Sequence, residues 1–163
     1  MSLPSPLDAD AFRSVLGRFA TGVTVVTTCD ASGIDHGMTV SAFCSLSLDP
    51  PLVLFCIDRS AAMYGVLQNA GHFAVNILAS HQEALSRRFS DFEDHRRFDG
   101  IGYSRSQAGD PLLEDVLAWM ECEFVRSDDG GDHGIYVGRV VRADVREMRP
   151  LLYYRGGYAQ LER

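Results

Sequence analysis

Six consecutive β-branched residues, Val23 to Thr28, follow closely on a helical pattern, and this switch of period constrains the fold more than any other feature. Before the switch, Phe12, Val15, Leu16 and Phe19 recur at i, i+3, i+4 and i+7. That spacing predicts an amphipathic helix, with Asp8 or Asp10 as its cap and Gly22 as its end. After the switch, strands dominate. Asp30-Ala31-Ser32-Gly33 reads as a turn, and a second strand runs from Ile34 to Leu48, stopped by Asp49-Pro50-Pro51. Leu52 to Ile57 is short and continuously apolar, as in a strand deep in a barrel or sandwich. Ser60 is expected to cap a short helix, Ala61 to Asn69, closed by Gly71. Phe73 to Leu78 is a buried strand, and Ser80-His81-Gln82-Glu83 has the form of a capping box opening a helix to Phe89. Ser90 to Asp110 is polar and irregular, a long surface loop. Ala118 to Arg126 and Ile135 to Val145 alternate around Asp128-Asp129-Gly130-Gly131, and Leu151 to Tyr154 and Tyr158 to Leu161 are short end pieces. Many closely spaced strands and few helices predict a mainly β chain with peripheral helices, a Greek-key barrel. No repeat or linker divides the 163 residues, which read as one domain, 1–163.

Composition removes several chemistries. All 15 basic residues are arginine. Schiff-base enzymes and P-loop phosphate binders need a lysine amine, so both fall away, and arginine must supply any cationic phosphate contact. A net charge of −7 disfavours nucleic acid or an anionic membrane as partner, although it permits a local anion pocket. Cys29, Cys44, Cys56 and Cys122 form no CxxC and no zinc-type spacing with histidine, so no metal site is expected. A secretory signal is not evident at the N-terminus and no apolar stretch has membrane-spanning length, which makes the cytoplasm the expected location. Gly100-Ile101-Gly102-Tyr103-Ser104-Arg105 lacks the third glycine of a Rossmann fingerprint and sits in the irregular loop. Neither G-x-S-x-G nor H-E-x-x-H occurs, so hydrolysis is not advertised.

Four segments remain: Phe19 to Thr27; His36 to Pro51, which includes Thr39-Val40-Ser41-Ala42-Phe43-Cys44-Ser45; Gly131 to Gly138, which includes Gly131-Asp132-His133-Gly134; and Pro150 to Tyr158, which includes Tyr154-Arg155-Gly156-Gly157. In order and spacing they resemble the flavin reductase-like family of split β-barrels, the small reductase components of two-component flavin monooxygenases. The resemblance spans Phe12 to Leu161. It implies a split Greek-key barrel of FMN-binding type and hydride transfer from NADH or NADPH to FMN or FAD. It also implies a homodimer with flavin near the subunit interface, and a separate oxygenase that receives the reduced flavin. The alternative is a flavin-binding electron carrier or storage protein with no productive nicotinamide site. Pyridoxamine-phosphate oxidases share the general barrel, but the Gly-Asp-His and Tyr-Arg-Gly segments fit them poorly.

The small and hydroxylated strand at Thr39, Val40, Ser41, Ala42 and Ser45 suits close approach of a flat isoalloxazine edge; read alone, it is a half-exposed strand whose hydroxyls face water. Asp58-Arg59-Ser60 leads into the expected helix start, where unpaired N–H groups suit a phosphate and Arg59 adds charge, or where Ser60 is simply a cap. Arg87 and Arg88 end the next helix, where cations are commonly just solvated. The resemblance places Arg88 and Phe89, with His81 and Gln82, against the flavin's ribityl phosphate. It places His133 beside the nicotinamide, where it would orient the dinucleotide, and assigns Tyr154, Arg155, Gly156 and Gly157 to the same side. Tyr154 stands where many members of the family carry histidine.

Overall fold

The computed structural model describes residues 7–91 and 96–161. Helix α1 is Ala9–Leu16; Asp8 caps it by accepting from the Ala11 N–H at 2.7 Å, and Gly17 closes it five residues before the expected Gly22. Gly22 lies instead in a two-residue strand, β1 (Thr21–Gly22). Then come β2 (Thr24–Cys29), β3 (Asp35–Val40), β4 (Phe43–Leu48) and β5 (Pro51–Asp58), followed by α2 (Val66–Ala70) and β6 (His72–Ile77). Helix α3 is Glu83–Ser90, and the remaining strands are β7 (Tyr103–Arg105), β8 (Pro111–Leu113), β9 (Ala118–Gly130), β10 (His133–Val145), β11 (Leu152–Tyr154) and β12 (Gly157–Ala159).

Seven strands form one antiparallel sheet in the order β3-β2-β6-β9-β10-β5-β4. Its two border strands are consecutive in the chain and are joined only by Ser41-Ala42. The sheet must therefore curl until its borders nearly meet, and the Cys56 N–H donates to the Ala42 carbonyl at 3.0 Å, carrying the β4–β5 ladder one rung into that link. This is the mainly β barrel that the strand pattern predicts, in the split form that the family resemblance implies. A small sheet, β1-β11-β12, and a hairpin, β7-β8, complete the strands.

Strand β2 shows why the β-branched run matters. Successive side chains point to opposite faces, so Val26 enters one core with Phe55, Ile57, Leu67, Phe73 and Tyr136. Val23 and Val25 enter a second core with Leu78, Phe89, Leu113, Val116 and Leu151. The interleaved hydroxyls are buried yet satisfied: Thr24 donates to Val40 O, Thr27 to Pro111 O and Thr28 to His72 O, at 2.6 to 2.9 Å.

Several local expectations need correction. Ile34 to Leu48 is two strands on opposite borders, because the backbone breaks at Ser41-Ala42. Leu52 to Ile57 is buried on one face only: Val53, Phe55 and Ile57 point inward, while Leu52, Leu54 and Cys56 are half-covered. Ser60 caps no helix. Its N–H and hydroxyl both donate to Asp58 Oδ1 at 2.8 Å, and regular helix begins only at Val66. The capping box fails for a similar reason. Gln82 Oε1 accepts from the Ala79 N–H, Gln82 Nε2 donates to Glu114 O, and Glu83 pairs with Arg87. Tyr103–Arg105 and Pro111–Leu113 turn part of the expected loop into a hairpin, held by Arg105 and Tyr103 on Asp35 and by Cys29 N–H and His72 on the buried Asp110. The turn expected at Asp128 to Gly131 tightens, since β9 continues to Gly130 and β10 resumes at His133.

Candidate functional site

Strand β3, helix α3 and strand β12 meet around one buried serine. Ser86 is fully buried, and its carbonyl accepts from Thr39 Oγ1 at 2.7 Å and from Ser90 Oγ at 2.6 Å. Its own hydroxyl lies 2.8 Å from Tyr158 Oη. Gly37 permits the approach of α3 to β3: a Cβ there would sit 2.6 Å from Cε1 of the Phe89 ring. In front of Ser86 opens a cavity of about 200 Å³, walled by Val23, Thr39, Ser41, Ser90, Tyr153 and Tyr158. A wider cleft of about 370 Å³ shares Ser90, Tyr153 and Tyr158 with it and is also lined by Arg87, Asp91 and Gly156. The Arg87 guanidinium lies 4.8 Å from the Tyr158 ring centroid and donates to Glu83 at 2.7 Å.

A second cluster occupies the ends of β5 and β10. His133 pairs with Asp58 across the ladder, and His133 Nδ1 lies 2.7 Å from Asp132 Oδ1. The two hydrogen bonds from Ser60, and then the nearby His133, hold the Asp58 carboxyl below its ordinary value. Arg59 is committed to the turn that carries His133: its backbone N–H donates to Asp132 O, its Nε to Gly131 O, and its Nη2 pairs with Asp129. Gly134 has no side chain to block Tyr64, whose ring a Cβ would meet at 2.8 Å. The Cys56–Ala42 rung brings the two clusters near each other. Asp58 lies two residues beyond Cys56, about 7 Å of strand, and Cys56 is bonded to Ala42 beside Ser41.

The sequence-derived candidates thus divide by location. Thr39 and Ser41 line the 200 Å³ cavity and Gly156 the wider cleft. Ala42 is in the seam, Val40 is buried in the barrel core with its carbonyl on Thr24, and Ser45 is exposed on β4 opposite Val53. Phe89 is fully buried, edge-on to Phe98 at 5.0 Å, and Gln82 is tied to Ala79 and Glu114. His81 and Arg88 border a different cavity, about 390 Å³, on the opposite side of α3 with Ile101 and Glu114. Arg88 Nη2 donates to the carbonyls of Arg96 and Asp99 at 2.6 Å, so this guanidinium braces a loop. Tyr154 is half exposed, and Arg155 and Gly156 take positive φ in the tight turn between β11 and β12, with the Arg155 N–H on Gly17 O. Asp58, Arg59, Ser60 and His133 form the second cluster, away from the cavity.

Sequence reasoning passed over Ser86, Ser90, Tyr153 and Tyr158, and left Arg87 as a solvated cation. A signal existed for two of them: Ser86 and Ser90 stand at i and i+4 on α3 and share a face.

Residues 16–162 match the family model described as flavin reductase like domain. The chain belongs to the flavin reductase-like family. This flavin reductase-like protein is 42% identical to the Rhodococcus jostii flavin-dependent monooxygenase reductase subunit HsaB over 96% of its own length and 80% of that protein's. It is 39% identical to an FMN reductase (NADH) of Agrobacterium fabrum, over 99% of this chain and 91% of the other. Among solved structures it superimposes with a TM-score of 0.91 on the NADH:FAD oxidoreductase of Streptomyces globisporus in complex with NAD and FAD fragments. Identity there is 35%, over 99% of this chain and 98% of that one.

Proposed function

We propose that the cavity between β3, α3 and β12 is where this NAD(P)H-dependent flavin reductase holds FMN or FAD, with the nicotinamide entering between it and His133. One observation carries the reading: two adjacent cavities that share Ser90, Tyr153 and Tyr158 set the hydroxyl-rich wall at Thr39 and Ser41 beside an arginine, Arg87, and the Gly156 turn. The donor set fits the group. A flat ring with carbonyls and ring nitrogens matches a narrow wall of small polar residues, and a flavin phosphate needs a cation that lysine cannot supply in this chain. Arg87 is the better candidate for that cation: it lines the cleft and its carboxylate partner, Glu83, is an exposed neighbour on the same helix, whereas Arg59 and Arg88 hold turn and loop carbonyls.

When bound, flavin accepts the hydride that reduced nicotinamide gives up, and no protein acid or base is required at the carbon. The chain's task is alignment, which supplies much of the rate for two bound reactants. Thr39, Ser41 and Ser90 would fix the ring and ribityl chain. His133, steadied by Asp132 and Asp58, would orient the dinucleotide from the other side of the seam. A separate oxygenase would receive the reduced flavin, since the Rhodococcus relative is the reductase subunit of a flavin-dependent monooxygenase. The four cysteines are all free thiols, which suits a reducing cytoplasm.

A second copy of the chain belongs to this reading. Phe12, Val15 and Leu16 of α1, and Phe19 just beyond it, are 50 to 74% exposed, so the described residues leave much of this apolar face uncovered. A homodimer that covers this stripe should give twice the chain mass by light scattering at micromolar concentration. The catalytic test is NADH oxidation by the purified protein with and without added FMN or FAD. Flavin-dependent turnover is expected. Flavin binding with no bleaching by NADH under anaerobic conditions would instead make the protein an electron carrier.

A further inference from the structure

The hydroxyl protons around Ser86 can be counted. Thr39 and Ser90 each donate to the Ser86 carbonyl, so both are spent, and what they turn toward the cavity is lone pairs. Ser86 Oγ–H is fully buried, and its hydroxyl has Tyr158 Oη as its hydrogen-bond partner among the described residues. A buried hydroxyl left without an acceptor is costly. Ser86 is therefore the donor in that pair, and Tyr158 the acceptor. The phenolic proton of Tyr158 is left over, on a side chain that lines both the cavity and the wider cleft.

We propose that Tyr158 is a flavin-binding residue which donates its phenolic hydrogen bond to an acceptor of the flavin, beside two hydroxyls, those of Thr39 and Ser90, that only accept. The wall thereby has a polarity. Thr39 and Ser90 take N–H or ribityl O–H groups, and Tyr158 takes a carbonyl or an unprotonated ring nitrogen. Packing holds the donor in place: the Tyr158 ring is edge-on to Tyr153 at 5.5 Å and carries Arg87 on its face. The inference rests on the cavity being the flavin site.

Three variants test it by fluorescence titration with FMN and by thermal unfolding. Tyr158→Phe keeps the ring and should weaken FMN binding about 3- to 10-fold, the loss of one neutral hydrogen bond, while altering the absorbance of bound flavin. It also orphans the Ser86 hydroxyl, so the melting temperature should fall. The double variant Ser86→Ala/Tyr158→Phe removes the orphan; stability should recover while FMN affinity stays low. Recovery of affinity in the double variant would show that Tyr158 acts only through packing, and unchanged affinity in Tyr158→Phe would mean that no bond reaches the ligand; either result overturns the proposal. Ser41→Phe, which fills the cavity from an exposed position, should abolish FMN binding. If it leaves binding intact, the cavity is not the flavin site and the inference fails with it. If it abolishes binding while Tyr158→Phe has no effect, the site stands and the Tyr158 assignment alone is lost.

Discussion

Adding one methyl group at Gly37 should loosen the barrel and the proposed flavin cradle together. The new Cβ would lie 2.6 Å from Phe89 Cε1 and 2.8 Å from its Cδ1, against an ordinary contact of about 3.6 Å. Phe89 is fully buried and packed against Phe98, so its ring cannot swing aside, and α3 must move by about 1 Å. Overpacking of this kind costs about 1–3 kcal/mol. For a chain of this size that is a drop of roughly 2–10 °C in melting temperature. The same shift stretches the 2.7 Å bond from Thr39 to Ser86 to about 3.7 Å, beyond hydrogen-bond range. Gly138→Ala is the matched control: its Cβ would run into the Phe73 ring and lie 3.3 Å from Cys122 Cβ, in the barrel core and not under α3. Differential scanning fluorimetry should find both variants destabilised, and FMN titration should find affinity reduced only in Gly37→Ala. Equal loss of affinity in both, or an unshifted melting temperature in Gly37→Ala, would refute the reasoning.

Other outcomes follow from the same geometry. Arg87→Ala should weaken FMN several-fold and riboflavin, which lacks the phosphate, hardly at all; the difference should shrink with added salt, because the guanidinium is exposed. His133→Ala should raise the KM for NADH or slow anaerobic flavin reduction in stopped flow, with FMN affinity near wild type. Burial pushes the Cys122 thiol up to about 12, so it stays protonated and silent to a thiol reagent at pH 8 in the folded protein, whereas the exposed Cys44 should react. The Asp58 carboxyl is held low by Ser60 and His133, so its stabilising effect is present above the ordinary aspartate range and disappears as pH falls through the folded value. Ser60→Ala should therefore raise the Asp58 titration seen by NMR and cost stability at pH 7 but not at pH 2.

The strands were legible because their physics is local. Val23 to Thr28 is β-branched throughout, and no other element suits such a run so well. Sequence could not show that Thr39 and Ser45 would part company, because the break at Ser41-Ala42 follows from sheet closure and not from any turn residue. Competing side chains also hid two helix starts: Asp58 captured Ser60, and Gln82 reached back to Ala79. The arginines were the hardest to read. Arg87, Arg88 and Arg59 differ in role only through the carbonyls and carboxylates that folding brings within reach, some of them more than 70 positions away.

Because the borders of the sheet meet at a two-residue seam and not along a ladder, β3 has a neighbouring strand, β2, on one side only. Main-chain groups that face away from β2 are rungs without a partner, which most proteins must cover or charge. At Gly37 the Arg97 guanidinium plays that part, donating to the carbonyl at 2.8 Å. Two residues on, Thr39 lines the cavity, as does Ser41 in the link beyond the strand. A planar heterocycle with donors and acceptors along one rim is a chemical stand-in for the missing strand. On the proposed reading of the cavity, the barrel would meet its ligand at an edge that the fold leaves unfinished, with no hollow needed in either core.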